Sequence, residues 1–477
     1  MRNHGARTNS ALLALVLGLL AAPPRAQAPA GPFKAEAGFL VGADLLELRD
    51  GRRVRLAGIT LPSPTVRDPQ LAQQLTEYAR NRCTQKEVWI HPDPAKDPGE
   101  RADFVATVRE RPDLPSINEE ILEQGLGLLG LRGPSAEAEA LAAAARRAQL
   151  QAKGWFALSA PRRFGRGDAV PYLNGAVLGL YDRNLAGGYQ RHIDELAAGG
   201  FQHVCFLFSA LVDHVNASRI ERHHRRTISD ELLVEAIVAA KKHGMSVMLL
   251  PIVLLEDAKP EDWRGTLKPH DEEAFWQSYD RFLGHYLDIS ERHGVEIFSL
   301  GSELGSLEDR TERWRHLIRN ARGRYRGMLT YSANWDHVTT ARFFPELDLV
   351  GMTGYFSLTK KDDPSREELI AGWKKVGGEL KATLAGFPKP VFFTELGYAS
   401  QDGINKDPWN YYIATDRIDL KEQALCLDAF LEVMPELTFL SGAYLFDYFE
   451  EGGPTDSSYS PRGKPAWERW QRWAGRR

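Results

Sequence analysis

From residue 169 to the C-terminus, apolar runs of strand length alternate with long amphipathic stretches, eight times over. "GAVLGLY" (175–181) opens the series, a helical pattern follows over 189–198, and "HVCFLF" (203–208) begins the next unit. Ser229 is placed to cap the helix behind it, with Asp230 and Glu231 in the first turn and Lys241-Lys242-His243-Gly244 at the close. That order of charges complements the helix dipole. "SVMLLPIV" (246–253) is the third strand, and a long helix over 274–293 lies behind it. "VEIFSLGSE" (295–303), "GMLTYSANW" (327–335), "LDLVGMTGYF" (347–356), "KPVFFTELGY" (389–398) and "LSGAYLFDY" (440–448) are strands four to eight. Near-continuous apolar strands separated by helices predict a parallel sheet covered on both faces. Eight such units in about 300 residues predict an α/β fold of the (β/α)8 TIM barrel type. A doubly wound open sheet is the alternative, but "GLYDRNLAGG" is not G-x-G-x-x-G, so no dinucleotide site is expected.

The preceding part has a different pattern. Residues 33–156 carry short alternating strands, and "LLELRDGRRVRLAGITLPSP" turns at Asp50-Gly51 between two of them, a β-hairpin signal. Residues 157–168 are small, polar and turn-prone and read as a linker to a barrel domain over 169–477. At the N-terminus, Arg2 and Arg7 precede the apolar run 11–22 and a small-residue Ala26-Gln27-Ala28 site. That order predicts a secretory signal peptide over 1–28. The run is shorter than the roughly 20 residues a bilayer span needs. The expectation is therefore a secreted or periplasmic protein with no membrane span once the signal is cleaved.

Composition narrows the function classes. Of 477 residues, 43% are hydrophobic and 26% charged, with a net charge of −4, which suits a globular protein of two or three domains. No basic footprint suggests strong nucleic-acid binding. The three cysteines, Cys83, Cys205 and Cys426, are far apart among apolar neighbours and read as buried thiols. No Cys or His pair has metal-ligand spacing, and neither a metal nor a cofactor is expected.

The barrel gives two carboxylates a meaning. Residues at the C-terminal ends of barrel strands face the active site. Glu303 ends strand four and Glu395 ends strand seven, each after a buried run. Two carboxyl groups across the mouth are what glycoside hydrolysis requires, one as acid and one as nucleophile or base. Trp335, Tyr355, Tyr398, Phe446 and Tyr448 also lie at strand ends, and aromatic rings there suit the C–H faces of sugars. The loop "VDHVNASRIERHHRRTISD" adds His214, His223, His224 and several arginines, read as a solvated loop near the mouth that contacts anionic substituents.

Further segments carry a resemblance. "DWRG", "FWQSYDRFLGHYLDISERHGVEIFSLGSEL", "LTYSANWD", "PVFFTELGY", "DLKEQA" and "YSPRGKPA" resemble glycoside hydrolase family 113 over roughly 170–475. The resemblance implies a retaining, endo-β-1,4-mannanase-like enzyme with Glu303 as acid/base and Glu395 as nucleophile. It also implies that Trp263, Asn334, Trp335 and Tyr355 belong to the sugar-binding surface. Two departures bear on specificity: strand three ends Leu250-Pro251-Ile252 where the family tends to have "KPH", and strand eight offers Phe446, Asp447 and Tyr448 where it is usually Trp-rich.

The first domain resembles the staphylococcal-nuclease-like domain, an OB-type β-barrel, on its hairpin segment, "INEEILEQGLG" and "AKGWF". That family cleaves nucleic acid with a calcium-binding carboxylate cluster and two arginines. Asp44 and Arg55 match, but Thr60 and Ser63 stand where the family has Asp and Glu, and Asp103 stands where the second arginine belongs, two positions from Arg101. Calcium needs several hard oxygen ligands, so a degenerate domain is expected. The sequence thus predicts an exported hydrolase whose partner is a polysaccharide or oligosaccharide. A catalytically inactive carbohydrate-binding barrel is the alternative, and a calcium-dependent nuclease a further one.

Overall fold

A computed structural model describes residues 29–475, except 42, 61–68, 96–97, 100, 131–136, 152, 159–161, 183–184, 186–187, 223–225, 388, 411–416 and 449–450. The expected signal peptide, Ser63, His223 and His224 lie outside the described residues.

The N-terminal part is a small closed barrel. Strands β1 (Phe33–Leu40), β2 (Leu45–Leu48) and β3 (Arg53–Leu56) are followed by the short β4 (Ile59–Thr60) and helix α1 (Pro69–Arg82). After them come β5 (Glu87–Pro92), β6 (Phe104–Arg109), α2 (Ile117–Glu123), β7 (Leu128–Leu129) and α3 (Ala138–Leu150). The barrel closes in the order β1-β2-β3-β6-β5, and β4 pairs with β7 beside it. The predicted hairpin is present as β2 and β3, antiparallel. Ser116 caps α2 in a reciprocal box with Glu119, two orphan backbone donors satisfied by one sequence signal.

The C-terminal part is an eight-stranded parallel barrel wrapped in helices. In chain order it runs β8 (Leu173–Gly179), α4 (Gln190–Ala198), β9 (His203–Val212), α5 (Asp230–Lys242), β10 (Ser246–Leu255), α6 (Glu272–Arg292), β11 (Ile297–Ser302) and α7 (Thr311–Arg324). It continues with β12 (Met328–Ala333), β13 (Val350–Thr353), α8 (Arg366–Leu384), β14 (Val391–Leu396), α9 (Leu420–Val433), β15 (Leu440–Leu445) and α10 (Ala466–Ala474). The sheet closes with β15 against β8, so all eight predicted strands form one ring. Strand alternation splits the core in two. Leu173, Cys205, Met248, Leu250, Phe392 and Tyr444 belong to one compact buried cluster, which fills the lumen. Val247, Leu249, Phe298 and Phe393 belong to the larger core between strands and helices. Gly175 is required here, since a Cβ would meet the Tyr444 ring at 2.3 Å.

The expected linker is not an open tether where it is described. Arg162 Nε donates to the Val295 carbonyl at 2.8 Å and its guanidinium pairs with Glu291, while the Arg163 amide donates to Glu296. Phe164 is buried with the lumen cluster and plugs the bottom of the barrel. The N-terminal part rests on α5. The Leu129 amide donates to Glu235 at 3.1 Å, and the Lys242 ammonium lies 3.4 Å from the centre of the Trp155 ring. All three cysteines are buried and free.

Candidate active site

A one-residue irregularity sits at the tip of both carboxylate-bearing strands. Between the pairs Ser299↔Thr330 and Ser302↔Ser332, β11 advances three residues while β12 advances two. In β14, Phe393 pairs with Met352 and Glu395 with Thr353, so Thr394 is extra; the register against β15 shifts over the same stretch. A bulge reverses the in–out alternation beyond it and re-aims the next side chains. Strict alternation after Phe393, which faces the helices, would send Glu395 the same way. The extra residue instead brings Thr394 and Glu395 both towards the barrel axis, with the Thr394 hydroxyl 2.6 Å from that of Ser332.

Glu303 is held by its backbone as well. Its φ is +54°, a left-handed conformation that a non-glycine residue adopts only where the surroundings impose it. Those surroundings are β12: the Glu303 amide donates to the Ser332 carbonyl at 2.8 Å, and the Leu304 amide to the Tyr331 hydroxyl at 2.8 Å. That hydroxyl donates in turn to the buried Glu308 at 2.8 Å.

The two carboxylates are neighbours. Glu303 is 6% exposed and Glu395 4%. Burial, and then the charge of Glu303, push the Glu395 carboxyl well above the usual carboxylate range, with Arg264 and the Tyr355 hydrogen bond opposing. Tyr355 Oη donates to Glu395 Oε2 at 3.0 Å, whereas Oε1 is buried and has no hydrogen-bond partner among the described residues. On the other side, Thr353 Oγ1 donates to Glu303 Oε1 at 3.1 Å, and the Arg264 guanidinium pairs with Glu303 Oε2.

Around this pair the expected sugar surface is partly assembled. Asn334 Oδ1 is 3.4 Å from Thr353 Oγ1, which also accepts the Trp335 amide at 3.0 Å. Trp335 stacks on Trp409 with ring centres 5.2 Å apart. Phe446 meets Tyr355 edge to face at 6.1 Å. Trp263 and Trp409 are each 39% exposed, unusual for tryptophan and suited to a rim. Two expected residues lie elsewhere. Tyr398 is buried beside Trp373 and Cys426, facing α8 and α9. Tyr448 is buried against Trp467 and Trp470, and its hydroxyl donates to Glu195 on α4 at 2.5 Å. Both belong to the layer between strands and helices, because strand-end position does not fix which face a side chain takes. Of the histidine-bearing loop, His214 is exposed; its ring nitrogen accepts the Asn216 amide at 3.2 Å.

Sequence pattern alone misses Arg264, Thr353 and Trp409. Arg264 and Trp409 lie on irregular loops where periodicity carries no signal, although Arg264 stands inside "DWRG". Asp447, at the end of strand eight, accepts the Gly179 amide at 3.1 Å and the Tyr181 hydroxyl at 3.0 Å and adds negative charge near Glu395. Strand three offers apolar Leu250 and Ile252, both buried in the lumen cluster. One acidic group among the described residues, Asp402, Asp419 and Glu422, has its oxygens close together, but they serve structure: Asp419 caps α9 and Glu422 accepts from Gly403 and Asn405.

In the N-terminal barrel, Asp44 and Arg55 meet at 3.4 Å, but Asp103 accepts the Arg53 amide at 2.8 Å. Thr60 lies in β4 opposite Leu128.

Comparison with known proteins bears on the larger barrel. The family model for Glycoside Hydrolase Family 113 matches residues 176–464. The chain is similar to the structure of the GH113 β-mannanase AaManA from Alicyclobacillus acidocaldarius in complex with ManMIm. Identity is 26% and the TM-score 0.57, over 64% of this chain and 97% of that one. A complex of a GH113 β-1,4-mannanase shares the fold at 24% identity and a TM-score of 0.56, over 64% of this chain and 100% of that one. No curated protein matches.

Proposed function

Because the chain belongs to glycoside hydrolase family 113, we propose that it is an exported, retaining hydrolase of a β-1,4-linked mannan-type glycan, with Glu303 as acid/base and Glu395 as nucleophile. The observation that carries this reading is the asymmetry of Glu395. One oxygen is held by Tyr355 and the other is buried without a partner, as a nucleophilic carboxylate needs. In the first step Glu395 Oε1 bonds to the anomeric carbon while the bond to the glycosidic oxygen breaks, and that oxygen takes the proton of Glu303. In the second, Glu303 takes a proton from water, whose oxygen attacks the same carbon and releases Glu395. Both steps pass through an electron-poor sugar, which the two carboxylates stabilise in a water-poor site. Mannan as substrate rests on the name of the AaManA relative and on the rim of Trp263, Trp335 and Trp409.

The N-terminal barrel, staphylococcal-nuclease-like by sequence, is read as a non-nuclease module. Asp44 is already paired with Arg55, Thr60 and Ser63 stand where the calcium cluster would need carboxylates, and Asp103, in place of the second arginine, is engaged with the Arg53 backbone.

The test is release of reducing ends from mannan, glucomannan, cellulose and cell-wall glycans by the wild-type protein and by Glu303→Gln and Glu395→Gln. Release from mannan, abolished by either change, is expected. Turnover that survives both changes rules out the assignment.

A further inference from the structure

Glu303 can protonate a glycosidic oxygen only when its carboxyl reaches hydrogen-bond distance of it, and a displacement of about 1 Å costs roughly 100-fold in rate. Its aim starts at its backbone. A non-glycine residue does not hold a φ of +54° unaided. Both peptide groups that flank the Glu303 Cα are tied to β12. The one before it donates to the Ser332 carbonyl, main chain to main chain; the one after it, the Leu304 amide, donates to the Tyr331 hydroxyl. The second tie therefore depends on a side chain.

That side chain is locked in place. Tyr331 is fully buried, with its ring edge to face against Trp314 and Phe343 at 4.9 and 5.2 Å. A Cβ on Gly301 would come within 3.2 Å of the same ring. The Tyr331 hydroxyl has one proton, and Glu308 Oε1 takes it at 2.8 Å, which leaves an oxygen lone pair for the Leu304 amide. The other oxygen of Glu308 accepts from Thr340 Oγ1, on the loop after β12 that opens with Asn334 and Trp335. Glu308 itself ends the short turn Gly305–Leu307 that Leu304 leads into, and it has no exposed surface. A carboxyl is destabilising in such a place unless its oxygens are hydrogen-bonded. Both are, and one of the two donors is the residue that holds the backbone of the acid.

We propose that Glu308 is a positioning residue for proton transfer: by taking the Tyr331 proton it fixes the Leu304 amide, and with it the backbone that aims Glu303 at the glycosidic oxygen. The inference rests on the acid/base role proposed above for Glu303. Glu308 cannot reach a glycan from its buried place; it acts through Tyr331 and Leu304.

This role has a signature that a general loss of structure lacks. A sugar leaving as an alcohol needs the proton of Glu303, whereas 2,4-dinitrophenolate is a weak base and leaves without one. A misaimed Glu303 thus lowers kcat/KM on mannohexaose and spares it on 2,4-dinitrophenyl β-mannobioside. In the second step the anion azide bonds to the anomeric carbon as the ester to Glu395 breaks, and it needs no base to do so.

The experiment measures kcat/KM on both substrates, and kcat on the aryl substrate with and without azide. The proteins are wild type, Tyr331→Phe, Glu308→Met, their double variant and Glu308→Gln, beside Glu303→Gln and Glu395→Gln. Tyr331→Phe and Glu308→Met are each expected to lower kcat/KM on mannohexaose about 10- to 100-fold. On the aryl substrate kcat/KM is expected to stay within about twofold of wild type, with azide restoring kcat. The double variant is expected to lose no more than the worse single one, since both changes cut one chain of hydrogen bonds. Glu308→Gln keeps an acceptor for the Tyr331 proton and is expected to follow wild type. Tyr331→Phe keeps the ring, so it carries the test if Glu308→Met does not fold. Equal losses on the two substrates or no loss, in Tyr331→Phe or in folded Glu308→Met, would overturn the positioning role. So would a Glu308→Gln protein as impaired as Glu308→Met. In those cases the enzyme assignment stands so long as Glu303→Gln and Glu395→Gln abolish turnover of mannohexaose. If those two changes spare it, or wild type shows none, the assignment falls and the positioning role with it.

Discussion

Tyr355 Oη donates to Glu395 Oε2 at 3.0 Å, and this leaves Oε1 of the same carboxylate buried and free to react. On the roles proposed for the two glutamates, the hydroxyl orients the nucleophile and chooses its reacting oxygen. Tyr355→Phe keeps the ring, its edge-to-face contact with Phe446 included, and removes only the donor. It is expected to lower kcat about 100-fold with KM changed little, because the bond serves the reacting state more than substrate holding. Steady-state kinetics on mannohexaose check this; unchanged kcat would mean that the hydroxyl only packs.

On the proposed function, the stacked pair Trp335 and Trp409 is a sugar-binding surface outside the reacting centre. Trp409→Ala removes the exposed face of the stack and is expected to raise KM about 10-fold for long oligosaccharides while kcat stays near wild type. Trp335→Ala in the same background should add less than its own single effect, since the two rings share one contact. Additive losses would show that each ring holds a separate sugar.

Tyr448 lies in the helix layer, so its hydroxyl supports the fold. Tyr448→Phe deletes a donor to Glu195 and is expected to cost about 1 kcal/mol of stability, with kcat and KM unchanged. Denaturant titration alongside kinetics separates the two; a raised KM with unchanged stability would return Tyr448 to the sugar surface.

Glu235 joins the two barrels by accepting the Leu129 amide, and burial pushes its carboxyl from an ordinary 4.5 to about 8. A carboxyl raised in the folded state binds more protons there than in the unfolded chain. Its contribution is thus complete below pH 4.5 and is lost as pH rises through 8. Glu235→Gln keeps a neutral acceptor for Leu129. It is expected to match wild type at pH 4.5 and to melt roughly 2–4 °C higher at pH 8. A thermal-melt series across pH tests this, and parallel curves for the two proteins would refute the shift.

The barrel was legible because eight parallel strands, buried on both faces, cannot avoid near-continuous apolar runs. The carboxylates were legible because Glu303 and Glu395 interrupt two of those runs at their tips. What aims them was not: in "VFFTELGY" nothing marks Thr394 as the extra residue, since a bulge depends on the neighbouring strand's register. The same gap misplaced Tyr398 and Tyr448, whose facing is set after the regular alternation ends. Arg264 escaped because an irregular turn has no period to read, and its importance comes from a residue 39 positions away. The segment 157–168 has the composition of a tether, yet one residue in it, Phe164, seats the chain in the barrel base.

The central claim is that Glu395 is the nucleophile, and trapping the covalent intermediate tests it most directly. Incubation with an activated 2-deoxy-2-fluoro-β-mannoside, followed by peptide mapping by mass spectrometry, is expected to find one sugar on Glu395, in the peptide containing "VFFTELGY", and none in Glu395→Gln. A label on Glu303 would reverse the two roles, and turnover with inversion and no label would contradict the account.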